Sequence, residues 1–311
     1  MKSKILPFVA GIVMILALVA VSSAQIPAAP TGNKTLLIST TTSLDNTGLL
    51  AAMEKIYQNE TGVDLRFTAQ GTGQAIDTAE RCDADMVMVH APSLEQQFID
   101  AGYGINQRCF AYNYFIIVGP PSDPAGIKNM SPEEAFKTIY QKGTGGTPGV
   151  YFVSRGDNSG THTREKELWQ GAGYNYTNQV EGSGPWYLES GQGMGETLVL
   201  ADQRGAYTLS DEGTYLATKS KLNLVPLVTN GSGLLNRYSA IAVSPSKCPN
   251  ANLVESNKFI NWVISPEGES LIANFGVQQY GQPLFYPLNN TSVCNATPFN
   301  CTCQVPINVS S

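Results

Sequence analysis

Three times within the first hundred residues a short β-branched run gives way to an amphipathic helical pattern, and each junction carries small hydroxyl, glycine or imidazole side chains. Thr35 to Thr40 reads as a strand, and Thr47 to Asn59 as a helix with Leu49, Leu50, Met53, Ile56 and Tyr57 on one face. Val63 to Ala69 reads as a second strand before a helical Gln74 to Arg81, and Asp85 to Val89 as a third before a helix through Asp100. This alternation predicts an α/β architecture with mainly parallel sheets. The junctions Thr40-Thr41-Thr42-Ser43, Gln70-Gly71-Thr72-Gly73 and His90-Ala91-Pro92 then fall at strand C-terminal ends, the edge where open α/β sheets bind ligands.

The apolar run Tyr112 to Val118 leads into Gly119-Pro120-Pro121, which reads as a crossover to a second unit. That unit holds a helix start at Met130-Ser131-Pro132, a strand over Gly149 to Val153, a glycine-rich stretch from Gly182 to Gly195 and a helix from Asp211 to about Lys219. Tyr238 to Val243 reads as a strand returning to the first unit, followed by helices Val254 to Ile264 and Glu269 to Phe275. The expected division is residues 35–112 and 237–288 in one lobe and 113–236 in the other. Residues 289–311 form a Cys-rich tail.

Ser154-Arg155-Gly156-Asp157-Asn158-Ser159-Gly160-Thr161-His162 follows the Gly149 to Val153 run and precedes a helix-forming segment. A helix opening on Ser159-Gly160-Thr161 offers free N–H groups and the positive end of its dipole to an anion. Arg155 adds planar, charge-assisted donors suited to a tetrahedral oxyanion. Asp157 is placed to orient Arg155. Ser159, Asp157 and His162 also spell a hydrolase set, but a His three residues after the Ser on one helix has no nucleophile elbow and no third orienting group, so no catalytic residue is expected. Arg155-Gly156-Asp157 spells an adhesion tripeptide, which a buried clamp could not present. Trp186 and Tyr187 are expected in the core of the second lobe.

Lys2 and Lys4 precede an apolar run from Ile5 to Val21 and then Ser22-Ser23-Ala24, the pattern of a secretory signal over residues 1–24. An uncleaved N-terminal anchor is the alternative, so the chain is expected outside the cytoplasm, soluble or tethered at its start. Six cysteines with no C-x-x-C pair, and two histidines, argue for disulfides rather than a metal site. Six cysteines allow fifteen pairings and the sequence does not choose among them; Cys82 with Cys109, and Cys248, Cys294, Cys301 and Cys303 among themselves, is the natural expectation. Ten N-x-[ST] sequons, from Asn33 to Asn308, suggest a glycoprotein. A net charge of −6 without a basic run excludes a nucleic-acid partner. An acidic chain that binds an anion must do so with local donors.

Taken together, Thr40-Thr41-Thr42-Ser43, Gly71-Thr72-Gly73-Gln74, Val89-His90-Ala91-Pro92, the Ser154 to His162 segment, Gly193-Met194-Gly195-Glu196-Thr197-Leu198 and Gly205-Ala206-Tyr207-Thr208-Leu209-Ser210-Asp211 resemble the tungstate-binding component of tungstate ABC importers. Leu235-Asn236-Arg237-Tyr238-Ser239 and Trp262 to Gly268 extend the resemblance to about Pro287. It implies a two-lobed periplasmic-binding-protein fold of the two-crossover type (type II), closing on one oxyanion in the inter-lobe cleft. It further implies ligand contacts from Thr41, Thr42 and Ser43 on one lobe and Arg155, Ser159, Gly160 and Thr161 on the other, with Thr72 and His90 as weaker carry-overs. The ligand would be tungstate or molybdate, with no cofactor and tungsten present only as its oxyanion. The partners would be an ABC permease and its ATPase, and the protein a monomer.

The resemblance also places His90 where similar phosphate binders carry an acidic acceptor for the phosphate proton. Loss of that carboxylate suits a fully deprotonated anion, and an imidazole N–H could donate to it. His90 as a purely structural histidine stays open, as does Thr40 to Ser43 as a helix cap. Phosphate, sulfate or molybdate binding is the nearest alternative function; a secreted hydrolase and a surface adhesion glycoprotein stand further off.

Overall fold

The computed structural model describes residues 35–289, 294 and 301–309, so the expected signal segment 1–24 lies outside the described residues. Strands β1 (Thr35–Thr41), β2 (Asp64–Gln70) and β3 (Met86–Val89) lie parallel in the order β2-β1-β3, as the alternation predicts. Helices α1 (Thr42–Asp45), α2 (Leu49–Thr61), α3 (Thr72–Glu80) and α4 (Pro92–Asp100) connect and follow them. Leu49, Leu50, Met53 and Tyr57 of α2 are buried against Leu36, Ile38 and Met86, and Ala75 and Ala79 of α3 against Val87 and Phe98. Burying each large apolar side chain contributes about 1.5–3 kcal/mol.

β4 (Gly104–Gly119) is 16 residues long and joins the two halves of the molecule. Helix α5 (Pro132–Thr144), β5 (Phe152–Ser154), α6 (Gly160–Gly171), β6 (Tyr187–Glu189), α7 (Met194–Arg204), β7 (Thr208–Asp211), α8 (Glu212–Thr218) and β8 (Val225–Val228) follow it, before β9 (Leu235–Val243) returns. As far as Tyr114, β4 pairs antiparallel with β9, which pairs in turn with β3. From Phe115 onward it pairs with β7 and β8 instead. The crossover therefore lies inside β4 and not at Gly119-Pro120-Pro121. Phe115 to Gly119 are all buried, so they already form the central strand of the second half.

The second half has its own apolar cluster, with Phe136, Phe152, Trp169, Trp186, Tyr187 and Tyr207 at its centre. Trp186 and Tyr187 thus pack the core, as the sequence suggests. Helices α9 (Leu253–Val263), α10 (Pro266–Asn274) and α11 (Val277–Tyr280) and strand β10 (Tyr286–Pro287) complete the first half. Phe259, Trp262 and Tyr57 form an aromatic cluster beneath α2, with the Tyr57 ring 4.9 Å from Phe259.

The disulfide pairing differs from the expectation. Cys82 bonds Cys248, Cys109 bonds Cys301, and Cys294 bonds Cys303. Cys82 lies just before β3 and Cys248 just after β9; antiparallel pairing of these strands, Met86 opposite Ala242, brings their outer ends together with Cα atoms 5.3 Å apart. The tail reaches Cys109 because it lies along β4, where Cys109 N–H donates to the Thr302 carbonyl at 2.8 Å. Among the described residues no helix is long and apolar enough to cross a membrane.

Candidate functional site

The junctions after β1, β2 and β3 meet the β5–α6 segment. β1 ends at Thr41, whose Oγ1 accepts from Leu44 N–H at 3.3 Å and caps the single turn of α1. Thr41 is therefore a cap, and Thr42 and Ser43 stand one step beyond it. Arg155, 2% exposed, donates from Nη1 to Ser43 Oγ and from Nη2 to Thr42 Oγ1, each at 3.2 Å.

The buried guanidinium is balanced by Asp157, whose Oδ2 accepts from Nη2 at 2.5 Å while Oδ1 accepts from Ser159 N–H at 3.2 Å. Asp157 thus fixes Arg155 and the entry to α6 together. Gly156 between them has φ +61, a conformation that favours glycine, and a Cβ there would lie 2.6 Å from Glu189 Cβ.

Helix α3 begins against the same loop. Its N-cap, Gly71, gives no side-chain cap, so the first turn keeps N–H groups for another acceptor. Gly73 N–H donates to the Asn158 carbonyl at 3.2 Å, and a Cβ on Gly73 would lie 2.9 Å from Asn158 Nδ2. The His90 ring lies over Gly160, the first residue of α6, so closely that a Cβ there would be 2.7 Å from Cε1. Ser159 caps α6 by accepting from His162 N–H at 3.2 Å.

The buried polar atoms with no hydrogen-bond partner among the described residues include four where these segments begin: Thr72 Oγ1, His90 Nε2, Arg155 Nε and Thr161 Oγ1. Their residues are at most 2% exposed. Buried polar atoms are ordinarily paired, so such a group marks a place for a polar guest. Two of the N-terminal ends beside it, those of α3 and α6, favour negative charge. Of the residues expected from the sequence, Thr42, Ser43, Arg155 and Asp157 are joined by side-chain hydrogen bonds, Ser159 N–H bonds Asp157 and Gly160 packs on His90; Thr72 and Thr161 lie in the adjoining segments, and Thr41 is set back.

His162 does not face the Ser159 hydroxyl. Its Nδ1 accepts from Asn158 N–H at 3.0 Å, which leaves Nε2 toward the Tyr176 hydroxyl at 2.9 Å. Burial lowers its pKa to about 4. That geometry offers no base for a nucleophilic serine.

Sequence reasoning missed three supporting groups. Asp211, fully buried, caps α8 through Thr214 N–H at 2.8 Å and has its carboxyl pushed up by burial. Thr214 Oγ1 in turn holds the Ser43 carbonyl at 3.2 Å. Glu165 accepts from Ser154 Oγ, Tyr187 OH and Trp169 Nε1 at 2.6, 2.7 and 3.0 Å, and burial pushes its pKa up to about 7. Ser154 Oγ accepts from Gly156 N–H at 3.1 Å, so Glu165 braces the Arg155 loop from behind. Ser154 and Glu165 lie eleven residues apart on a strand and a helix, so no local spacing links them in the sequence.

Comparison with known proteins gives a consistent picture. The PBP superfamily domain matches residues 26–267. A Haloferax volcanii protein named, provisionally, as an ABC transporter anion-binding protein is 43% identical over 258 residues, covering 81% of this chain and 71% of its own length. The tungstate-binding protein TupA of Peptoclostridium acidaminophilum is 37% identical over 255 residues, 81% of this chain and 85% of that one. The solved structure of the tungstate-binding protein TupA from Desulfovibrio alaskensis G20 is 41% identical and superposes with a TM-score of 0.66, covering 81% of this chain and 98% of its own.

Proposed function

This chain belongs to the PBP superfamily, with its two-lobed fold, and from that premise we propose that it captures tungstate outside the cytoplasm and delivers it to an ABC importer. The observation that carries the reading is the group of four buried, unpartnered polar atoms around Arg155. Residues 35–112 and 237–288 form one lobe and 113–236 the other, with the anion in the cleft between them. Arg155, Ser159, Gly160 and Thr161 bind from the second lobe; Thr42, Ser43, Thr72 and His90 bind from the first.

In this mechanism no bond is made or broken. Thr42 and Ser43 accept from Arg155 with their oxygens and keep their hydroxyl hydrogens for the anion. Arg155 Nε and the first turns of α3 and α6 supply N–H donors, so closure replaces the anion's water shell with fixed dipoles. Among the described residues Asp157 is the carboxylate paired with Arg155, and that ion pair offsets its repulsion of an anion. Residues 1–24 direct export, where the three disulfides persist in an oxidising compartment.

Thermal unfolding with tungstate, molybdate, sulfate and phosphate tests the proposal. Ligand that binds only the folded protein at about 100 times its Kd adds about 2.7 kcal/mol. Tungstate is expected to raise the Tm most, with molybdate next. No shift with any of the four anions would remove oxyanion capture.

A further inference from the structure

A chain of buried amides fixes which nitrogen of His90 carries hydrogen. Asn113 Nδ2 donates to the Leu284 carbonyl at 3.3 Å, and because a backbone carbonyl only accepts, this contact orients the Asn113 amide. Asn113 Oδ1 then accepts from Asn236 Nδ2 at 2.8 Å, and the same Nδ2 donates to Tyr238 OH at 2.9 Å. Asn236 Oδ1 is left facing His90 Nδ1 at 2.9 Å. An amide oxygen only accepts, so Nδ1 carries the hydrogen and Nε2 of the neutral ring is a bare lone pair. The neutral imidazole therefore cannot make the N–H donation to an anion that the sequence suggests.

Nε2 is buried without a partner on a residue 2% exposed, over the first residue of α6. The charged groups acting on the ring are Arg155 and Arg164, which oppose a second positive charge, and Asp157, which favours one. Tyr238 and Phe115 stack on it as neutral rings, and Glu95 of the following helix is paired with Arg237. Together with burial, these groups keep the ring neutral in the free protein. A dianion brought beside Nε2 changes the balance: its oxygens carry only lone pairs, which repel another lone pair, and its charge offsets the two arginines.

Building on the oxyanion reading above, we infer that anion binding takes up one proton, held between His90 Nε2 and an oxygen of the bound anion. The proton comes from solvent and no other bond changes. Once shared, it turns a repulsive contact into a charge-assisted hydrogen bond. Asn113 and Asn236 are opposite each other on β4 and β9, two positions before Phe115, where β4 changes partners. The relay that sets the tautomer therefore runs through the strands that join the two halves.

Calorimetric titration of the protein with sodium tungstate near pH 7, in buffers of low and high ionisation enthalpy, counts the protons directly. The expected slope is close to one proton taken up per anion, with Kd tightening by up to about tenfold per pH unit on acidification. Tight binding with zero slope overturns the proton linkage and leaves tungstate capture standing. Failure to bind any anion overturns both. His90→Asn keeps an amide N–H for Asn236 but has nothing at Nε2, and its slope is expected to fall to zero; a persisting slope overturns the assignment to His90. The slope of the unsubstituted protein decides the linkage even where the variant does not fold.

Discussion

Arg155 Nη1 donates to Ser43 Oγ at 3.2 Å across 112 residues of sequence, tying the junction after β1 to the loop before α6. The same guanidinium is the only positive charge in direct contact with both Thr42 and Asp157 among the described residues. Arg155→Ala removes a charged donor worth about 1.5–3 kcal/mol, so tungstate affinity is expected to fall by well over tenfold. Arg155→Lys restores the charge but not the planar fork and is expected to recover only part of it. Calorimetry reads both, and unchanged affinity in Arg155→Ala would take Arg155 out of the site.

Gly160 touches the His90 ring so closely that a methyl group cannot enter without moving it. Gly160→Ala gains helix propensity yet is expected to lose about 1–3 kcal/mol of stability from overpacking, together with anion affinity. Adding His90→Ala should relieve the overpacking but leaves Asn236 Oδ1 without its partner, and it should not recover the affinity. A Gly160→Ala protein with an unchanged Tm would show that the ring yields freely.

Glu165 makes stability depend on pH. Its folded pKa of about 7 stands above the ordinary 4.5, so the native state binds the extra proton. Its contribution is complete below about pH 4.5 and is lost as pH rises through 7, amounting to roughly 3 kcal/mol. Glu165→Gln should therefore flatten the fall in Tm between pH 5 and pH 8. A variant with the same pH slope as the parent would refute this assignment.

The Cys82–Cys248 bond closes a separation of 166 residues at the edge of the sheet opposite His90. Replacing both by serine is expected to cost about 2–5 kcal/mol, read as a Tm decrease on the order of 10 °C. Anion affinity should hold at temperatures where the variant stays folded. Loss of affinity without loss of Tm would mean that the staple shapes the site instead of the fold.

The first three strands were legible because period-2 and period-3.6 patterns alternate there, and the site segments because helix starts rich in Gly, Ser and Thr beside an arginine have few other uses. Less was legible where partners are distant in sequence. Nothing local in Cys82 points to Cys248, since only the antiparallel β3–β9 pairing joins them. The passage of β4 between sheets is hidden because an apolar run reads the same in either sheet. Asn113 and Asn236 look like isolated polar residues in strands until the strands are paired and Leu284 supplies the fixed carbonyl. Thr41, grouped by sequence with Thr42 and Ser43, differs from them only by where β1 stops and α1 begins.

Glu165 is bonded on one side to Ser154, next to Arg155, and on the other to the indole of Trp169. Any adjustment of the Arg155 loop is thereby passed to a fully buried indole whose Nε1–H donates to that carboxylate at 3.0 Å. The protein thus carries an unlabelled optical probe of its own site: Trp169 emission should move when the loop does, so occupancy could be followed in real time by stopped-flow fluorescence, with Glu165→Gln as the control that alters the signal.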